Sequence, residues 1–228
     1  MSRRVAYTTL AIVCAVPRLG ILLHEREAIT ANFTEKSDLI ARMFVDHGTF
    51  GFVPGAPSAY TQPLYAWFLI PIYWILGPHW WWIGIVQIVV AVATAWLVYE
   101  IGRRVLGRGA GLVAAAIATL NPYLAWHDVH VNREILDQLV AAALVLLTLR
   151  LVDRPSRRLA VLVGIVSGIS MLGNTKSVAR ITSATVTAGP CNGSFSTKAS
   201  STSTSGRFIV LRSMTLPSMM NQLSNIVP

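Results

Sequence analysis

The spacing of its apolar runs constrains this chain more than any other feature. A membrane-spanning helix needs about 20 mostly apolar residues. Four runs come close to that length and a fifth is shorter; they cover residues 5–23, 80–101, 110–126, 135–152 and 159–173. The chain is also 54% hydrophobic and only 13% charged, which is unusual for a soluble domain. The pattern predicts an all-α, polytopic membrane helix bundle with about five spans.

Arginine clusters between the apolar runs predict the topology, because cytoplasmic loops carry an excess of Lys and Arg. The clusters are Arg3/Arg4, Arg103/Arg104/Arg108 and Arg150/Arg154/Arg157/Arg158. If all three are cytoplasmic, an even number of crossings separates them. The apolar stretch 63–77, which contains Pro71, is then expected in the outer interface rather than across the membrane. We predict a multi-pass protein of the cell (inner) membrane with a cytoplasmic amino terminus. The net charge of +9 is interpreted as a topology signal and not as nucleic-acid binding.

The composition changes after Lys176. No Asp or Glu follows this residue, and Ser and Thr dominate runs such as 200–205. We therefore divide the chain into a membrane region, 1–176, and a low-complexity tail, 177–228. One interpretation of the tail is a disordered external segment, since it cannot bury enough apolar surface to offset the entropy of ordering. The other is translation in a shifted reading frame, which predicts a truncated amino-terminal fragment without catalytic activity.

The first predicted external loop, from residue 24 to about 79, is rich in acidic residues. Acidic residues contribute little to topology, so their density points to binding or catalysis. Residues 35–46 are expected to form an interfacial helix. Its apolar face would carry Leu39, Ile40, Met43 and Phe44, and its polar face Glu35, Asp38 and Arg42. Asp38 and Arg42 are four residues apart, and the alternative interpretation is an ion pair on a solvated face.

The second external loop, 127–133, contains Asp128 and is followed by Glu134, also on the outer side, and by Asp137. Glu134 is either a functional acid or a favourable charge at the amino terminus of a helix that begins near Asn132. Asp137 lies one turn inside the next span, where an acid is a functional hypothesis by default. The cofactor requirement is unknown from the sequence, and a divalent cation held by His127 and His130 stays an open alternative.

Two acidic loops on one face of a bundle can supply a general base that deprotonates an acceptor hydroxyl, while cations stabilise a phosphate leaving group. This is the chemistry of sugar transfer from a lipid phosphate. Arg18, in the outer half of the first span, either snorkels to the interface or pairs with a lipid phosphate. The catalytic candidates are Glu35, Asp38 and Glu134. The candidates for donor-phosphate binding are Arg18 and Arg133, and further polar candidates are Asp128, Asp137 and His47.

Four short motifs follow one another in the membrane region. They are His-Gly-x-x-Gly-Phe at 47–52, Ser-Ala-Tyr-x-x-Pro-Leu-Tyr at 58–65, Gly-Arg-Arg-x-x-Gly at 102–107 and Asn-Pro-Tyr at 121–123. In this order and spacing, over residues 18–174, the chain resembles the dolichyl-phosphate-mannose protein mannosyltransferase-like membrane glycosyltransferases of the C-type superfamily. The resemblance implies a juxtamembrane helix rather than a span at 63–77.

The resemblance also implies a reaction and its partners. Such enzymes pass a sugar, with inversion, from a polyprenyl-phosphate-linked donor to a protein, lipid or polysaccharide acceptor on the outer face of the membrane. Glu134 matches the acid that opens the fourth span of the family. The acid of the first loop falls here on Phe33, so Glu35 and Asp38 replace it by proximity only. The alternative is a non-catalytic membrane protein, either a transporter fragment or a scaffold, although no internal repeat of the transporter kind is visible.

Overall fold

A computed structural model describes residues 3–31 and 36–173, and all the regular elements in these ranges are helices apart from one isolated bridge between Val53 and Ala56. The helices are α1 (Arg3–Glu25), α2 (Ala28–Ala31), α3 (Lys36–His47), α4 (Pro63–Leu76), α5 (Trp80–Val105), α6 (Arg108–Leu120), α7 (Pro122–His127), α8 (Glu134–Asp153) and α9 (Arg157–Gly173). The predicted all-α class is confirmed for this part of the chain. The predicted boundary at 176/177 and the tail lie outside the described residues.

Three of these helices are long and apolar enough to cross a membrane: α1, α5 and α8. The chain is therefore a membrane protein. Helix α4 has 14 residues and α6 has 13, which at 1.5 Å per residue is too short for a bilayer core about 30 Å thick. Helix α9, with 17 residues, falls just below the usual length. About five spans were expected, and the described residues provide three full-length candidates with shorter apolar helices beside them.

The predicted continuous span 110–126 is wrong, because the chain breaks between α6 and α7. Pro122 has no N–H to donate, and its ring would clash with a carbonyl one turn earlier. Asn121 adopts an extended conformation there, and its side-chain oxygen accepts hydrogen bonds from the backbone N–H groups of Tyr123 (3.0 Å) and Leu124 (3.4 Å). Helix α7 therefore starts anew with its own cap.

Helix α5 lies at the centre of the bundle and packs against α1, α6 and α8. Glycines permit its closest approaches. A Cβ atom on Gly102 would lie 2.7 Å from the Cα atom of Gly111 in α6, and one on Gly84 would lie 2.2 Å from Leu22 in α1. Larger residues at these positions would push the helices apart, so backbone contact sets the α5–α6 spacing.

Ion pairs gather the three predicted arginine clusters at one end of the bundle. Glu100 of α5 pairs with Arg3 of α1 (2.9 Å) and with Arg103 (2.6 Å). Arg104 pairs with Asp153 at the end of α8 (2.9 Å), next to the third cluster. We call this the arginine end. The other end, called the loop end, holds the carboxyl terminus of α1 and the amino termini of α4 and α8.

The predicted apolar face of α3 is not the face that packs against the protein. The buried residues of this helix are Ser37, Asp38, Ile40 and Ala41, whereas Leu39 and Phe44 are exposed. Helix α3 packs on α4, and its acid points inward because it finds partners there, as described below. In a membrane protein the exposed apolar side chains can face lipid, so burial does not follow hydrophobicity alone.

Candidate functional site

A cleft of about 860 Å³ opens at the loop end. It is formed by the start of α3, the segment leading into α4, the last residue of α7 and the start of α8. Its lining residues are Lys36, Ala59, Tyr60, Thr61, Gln62, Pro63, His127, Asn132, Arg133 and Glu134. Two cations and one carboxylate therefore line the same space, and one of the cations, Lys36, lies far in the sequence from Arg133 and Glu134.

The loop between α7 and α8 fixes one side of the cleft. Val129 and Val131 are fully buried and anchor the loop to the core. The Nδ2 atom of Asn132 lies 3.2 Å from the Nδ1 atom of His127. The Oδ1 atom of Asn132 accepts a hydrogen bond from the backbone N–H of Glu134 (3.1 Å). The following helix begins at Glu134, whose side chain is exposed. A carboxylate at this position interacts favourably with the helix dipole, as the sequence indicated.

The cation after Asn132 reaches across to the chain segment before α4. The Arg133 guanidinium donates a hydrogen bond through Nη1 to the side-chain oxygen of Gln62. Gln62 precedes Pro63, the first residue of α4, and proline is well suited to that position because its missing N–H would have no partner there. This contact places the predicted phosphate-binding arginine in the cleft.

Lys36 supplies the second cation of the cleft. Its Nζ donates to the hydroxyl of Tyr60 (3.1 Å) and lies 4.3 Å from the centroid of the Tyr60 ring. The sequence analysis did not single out Lys36. Its position next to the predicted acid Glu35 was the available signal, together with the Ser-Ala-Tyr motif that contains Tyr60. Glu35 itself lies outside the described residues.

Asp38 lies two residues beyond this cation, is buried, and is absent from the described lining of the cleft. The Tyr73 hydroxyl of α4 donates to its Oδ1, and Nε of Arg42 donates to its Oδ2 (3.0 Å). The predicted ion pair of Asp38 and Arg42 is thus an observed contact, but it does not lie on a solvated face, because Asp38 is buried. Burial and the Asp38 carboxylate raise the pKa of Tyr73 well above its usual value, so its hydroxyl stays a donor. This network attaches α3 to α4.

Arg18 and Asp128 form a buried ion pair at the loop end. They are 2% and 3% exposed, and Nε and Nη2 of Arg18 lie 3.0 and 2.7 Å from Oδ2 of Asp128. Nη1 donates to the carbonyl oxygens of Cys14 and Thr119, both at 3.1 Å. Burial raises the pKa of the Asp128 carboxyl, and the Arg18 guanidinium opposes that shift. The pair joins α1 to the base of the second loop.

The remaining candidates lie apart from the cleft. Asp137 faces the end of α9, where a Cβ atom on Gly173 would lie 2.8 Å from its Oδ1. His47 is exposed at the end of α3. His130 is buried and stacks on Trp126 with ring centroids 3.8 Å apart. Within residues 3–31 and 36–173, no group of three or more His, Cys, Asp or Glu side chains is placed to hold a metal ion.

Comparison with known proteins assigns the chain to a family. Residues 57–188, more than half of the chain, match the family described as dolichyl-phosphate-mannose-protein mannosyltransferase. The match includes the α4 to α9 region and two sides of the cleft, and it extends past Lys176; it does not include the first loop with Glu35, Lys36 and Asp38. No curated protein and no solved structure matches the chain. The apolar helices and this match agree with the resemblance: the chain belongs to the dolichyl-phosphate-mannose-protein mannosyltransferase family of membrane glycosyltransferases.

Proposed function

We propose that the cleft at the loop end is where a polyprenyl-phosphate-linked sugar donor meets a hydroxyl of the acceptor. One observation carries the proposal: Lys36 lines the same cleft as the neighbouring residues Arg133 and Glu134, although it lies far from them in the sequence. A cation pair suits a phosphate and a carboxylate suits a hydroxyl, so the cleft contains groups for both halves of a transfer reaction.

The two cations are proposed to hold the donor phosphate. Each is already oriented by an uncharged group, Lys36 by the hydroxyl of Tyr60 and Arg133 by the amide oxygen of Gln62. Oriented cations stabilise the negative charge that grows on a leaving phosphate without having to reorganise during the reaction. Arginine also offers two parallel N–H groups that match phosphate oxygens.

Glu134 is proposed as the general base. In the reaction, the acceptor oxygen forms a bond to the anomeric carbon while the bond from that carbon to the phosphate oxygen breaks. The acceptor proton passes to the Glu134 carboxylate, and the polyprenyl phosphate leaves with its charge held by Lys36 and Arg133. Attack opposite the leaving group inverts the anomeric centre. Glu35, adjacent to Lys36 in the chain, is a second candidate for the base.

The other predicted residues are proposed to position this cleft rather than touch the donor. Asp38 attaches α3 to α4 through Tyr73 and thereby places Lys36. Arg18 and Asp128 hold the second loop against α1. Both acids are buried and already engaged, which favours a supporting role over proton transfer.

The proposed orientation of the chain in the membrane rests on the excess of arginine at the arginine end. With its three arginine clusters in the cytoplasm, the amino terminus of the chain is cytoplasmic and the cleft opens on the outer face of the cell (inner) membrane. An acceptor on that face and a donor anchored in the outer leaflet would then approach the cleft from the same side.

Donor binding by the 228-residue chain in lipid nanodiscs tests the proposal. A short-chain polyprenyl phosphate carrying mannose serves as the probe. Arg133→Met should weaken its binding about 10- to 100-fold, because a hydrogen bond to a charged group contributes roughly 1.5–3 kcal/mol. Glu134→Gln should leave binding intact, since it removes the base and not the phosphate contacts.

Arg158→Met is the matched control, because Arg158 is exposed at the arginine end and does not line the cleft. An equal loss in both arginine variants, or no loss in Arg133→Met, would contradict the assignment of the cleft. Sugar transfer measured in the same preparation tests the separate expectation that the 228-residue chain is inactive. Binding without transfer fits that expectation, and transfer that Glu134→Gln abolishes supports the role of Glu134 as the base.

A further inference from the structure

A second cleft, at the arginine end, is unrelated to the proposed transfer site. Its volume is about 530 Å³, and it is lined by Arg104, Arg150, Asp153, Arg154 and Leu159. It lies where the ends of α5 and α8 meet the start of α9, because Arg104 and Asp153 are paired across it at 2.9 Å. Three guanidinium groups surround a single carboxylate, so the cleft carries a net positive charge.

Two of these arginines have no counter-charge in the described part of the chain. Asp153 is paired with Arg104, whereas no side-chain hydrogen bond or ion pair joins Arg150 or Arg154 to another described residue. The backbone N–H of Arg154 caps α8 by donating to the carbonyl of Arg150 (3.0 Å), so both residues are held on the same final turn. Like charges on one turn repel each other, and an anion between them would relieve that repulsion.

We propose that this cleft binds the phosphate of an anionic phospholipid headgroup. The ends of two membrane-spanning helices, α5 and α8, form its walls, which places the cleft at the depth of the headgroups. Basic pockets between helices at the membrane surface recognise such headgroups, and guanidinium groups match their phosphate oxygens. Leu159, the third residue of α9, gives the cleft an apolar wall beside the arginines that suits a bound lipid more than a free, fully hydrated ion.

Lipid retention by the purified 228-residue chain tests the proposal. The chain is taken from nanodiscs that contain phosphatidylcholine with or without phosphatidylglycerol, and bound lipid is measured by native mass spectrometry. The wild-type chain should retain phosphatidylglycerol in preference to phosphatidylcholine. Arg150→Gln with Arg154→Gln should lower that retention roughly 30-fold or more, because each guanidinium removed from the lining loses a direct hydrogen bond to the charged phosphate.

Arg157→Gln with Arg158→Gln is the matched control. It removes the same charge from the same short segment without touching the lining of the cleft. Retention should stay within about threefold of wild type, since an exposed charge outside the cleft adds only a salt-screened attraction to the membrane surface. An equal loss in both double variants would overturn the proposal, because it would show diffuse attraction and no site.

One further variant and one competition experiment complete the test. Leu159→Glu retains all three arginines but places a carboxylate in the wall of the cleft, so it should also abolish the preference for phosphatidylglycerol; it answers the question if the double glutamine variant does not fold. Inorganic phosphate should not displace the lipid. If inorganic phosphate displaces it as readily as added phosphatidylglycerol, or if phosphatidylcholine is retained equally, the cleft is not a lipid site.

Discussion

The buried pair of Arg18 and Asp128 gives the sharpest test of how the loop end is held together. Arg18→Met keeps the length and apolar stem of the side chain but removes the guanidinium. The change leaves the carboxylate of Asp128, which is 3% exposed, without its ionic partner. It also removes Nη1 of Arg18, the donor that the carbonyl oxygens of Cys14 and Thr119 share. Removing one member of a buried pair costs about 3–5 kcal/mol.

The loss of stability in Arg18→Met should depend on pH, because it depends on the ionisation of Asp128. Burial already raises the pKa of the Asp128 carboxyl, and the loss of Arg18 removes the group that opposes this shift. The folded variant then favours the neutral carboxyl more strongly than the unfolded chain does. Its stability should therefore fall as the pH rises above the unfolded pKa of about 4, and recover as the pH is lowered toward that value.

SDS-induced unfolding in mixed micelles measures the effect. Arg104→Met is the control, because the pair of Arg104 with Asp153 is solvent-accessible and should be worth about 0–1 kcal/mol. Combining Arg18→Met with Asp128→Leu should restore much of the loss, since an apolar pair of similar volume avoids the buried charge. A loss below about 1 kcal/mol for Arg18→Met, with no dependence on pH, would refute the buried-pair account.

Three further predictions concern other parts of the described chain. Tyr73 should stay protonated above pH 10, and stability that depends on it should decline only as the pH rises beyond the ordinary tyrosine range; a difference titration of wild type against Tyr73→Phe, followed near 295 nm, checks this, and ionisation near pH 10 would contradict it. Gly111→Ala should destabilise the bundle by about 1–3 kcal/mol, because its Cβ would lie 2.7 Å from the backbone of α5, whereas Gly109→Ala meets nothing within 4 Å and should be neutral or slightly stabilising; equal unfolding midpoints for the two variants would refute the close crossing. A cysteine at Pro78, in a cysteine-free background, should react with a membrane-impermeant thiol reagent added outside the cell, and labelling from the cytoplasm alone would reverse the proposed topology.

The sequence predicted the parts of the fold that depend on local hydrophobicity and charge. The runs at 5–23, 80–101 and 135–152 correspond to α1, α5 and α8, because an apolar segment of this length has few alternatives to a helix in a membrane. The sequence also placed Arg133 and Glu134 among the candidates. Pro122 is visible in the sequence, but the prediction of one span over residues 110–126 followed their apolar content. Apolar content does not register that proline lacks the backbone N–H that a continuous helix needs at this position.

The candidate site could be predicted only in part because its geometry depends on long-range contacts. Arg18 and Asp128 are 110 residues apart in the sequence. Each residue alone allowed several interpretations of its role, and only the structure shows that the two form a buried ion pair. The inward orientation of Asp38 depends on Tyr73, which lies on another helix. Lys36 was missed because a lysine at the start of an exposed helix is ordinary in sequence. Its proposed role rests on its position in the lining of the cleft and on its contact with Tyr60, which lies 24 residues further on.

Photo-crosslinking tests the central claim, that the cleft at the loop end binds the donor phosphate. A short-chain polyprenyl phosphate mannose with a diazirine next to the phosphate is irradiated with the chain in nanodiscs, and the labelled peptides are identified by mass spectrometry. We predict labels on the segments 59–63 and 132–134, which line the cleft, and their loss in Arg133→Met. Labels confined to the arginine end, or labels at the loop end that Arg133→Met leaves unchanged, would contradict the claim.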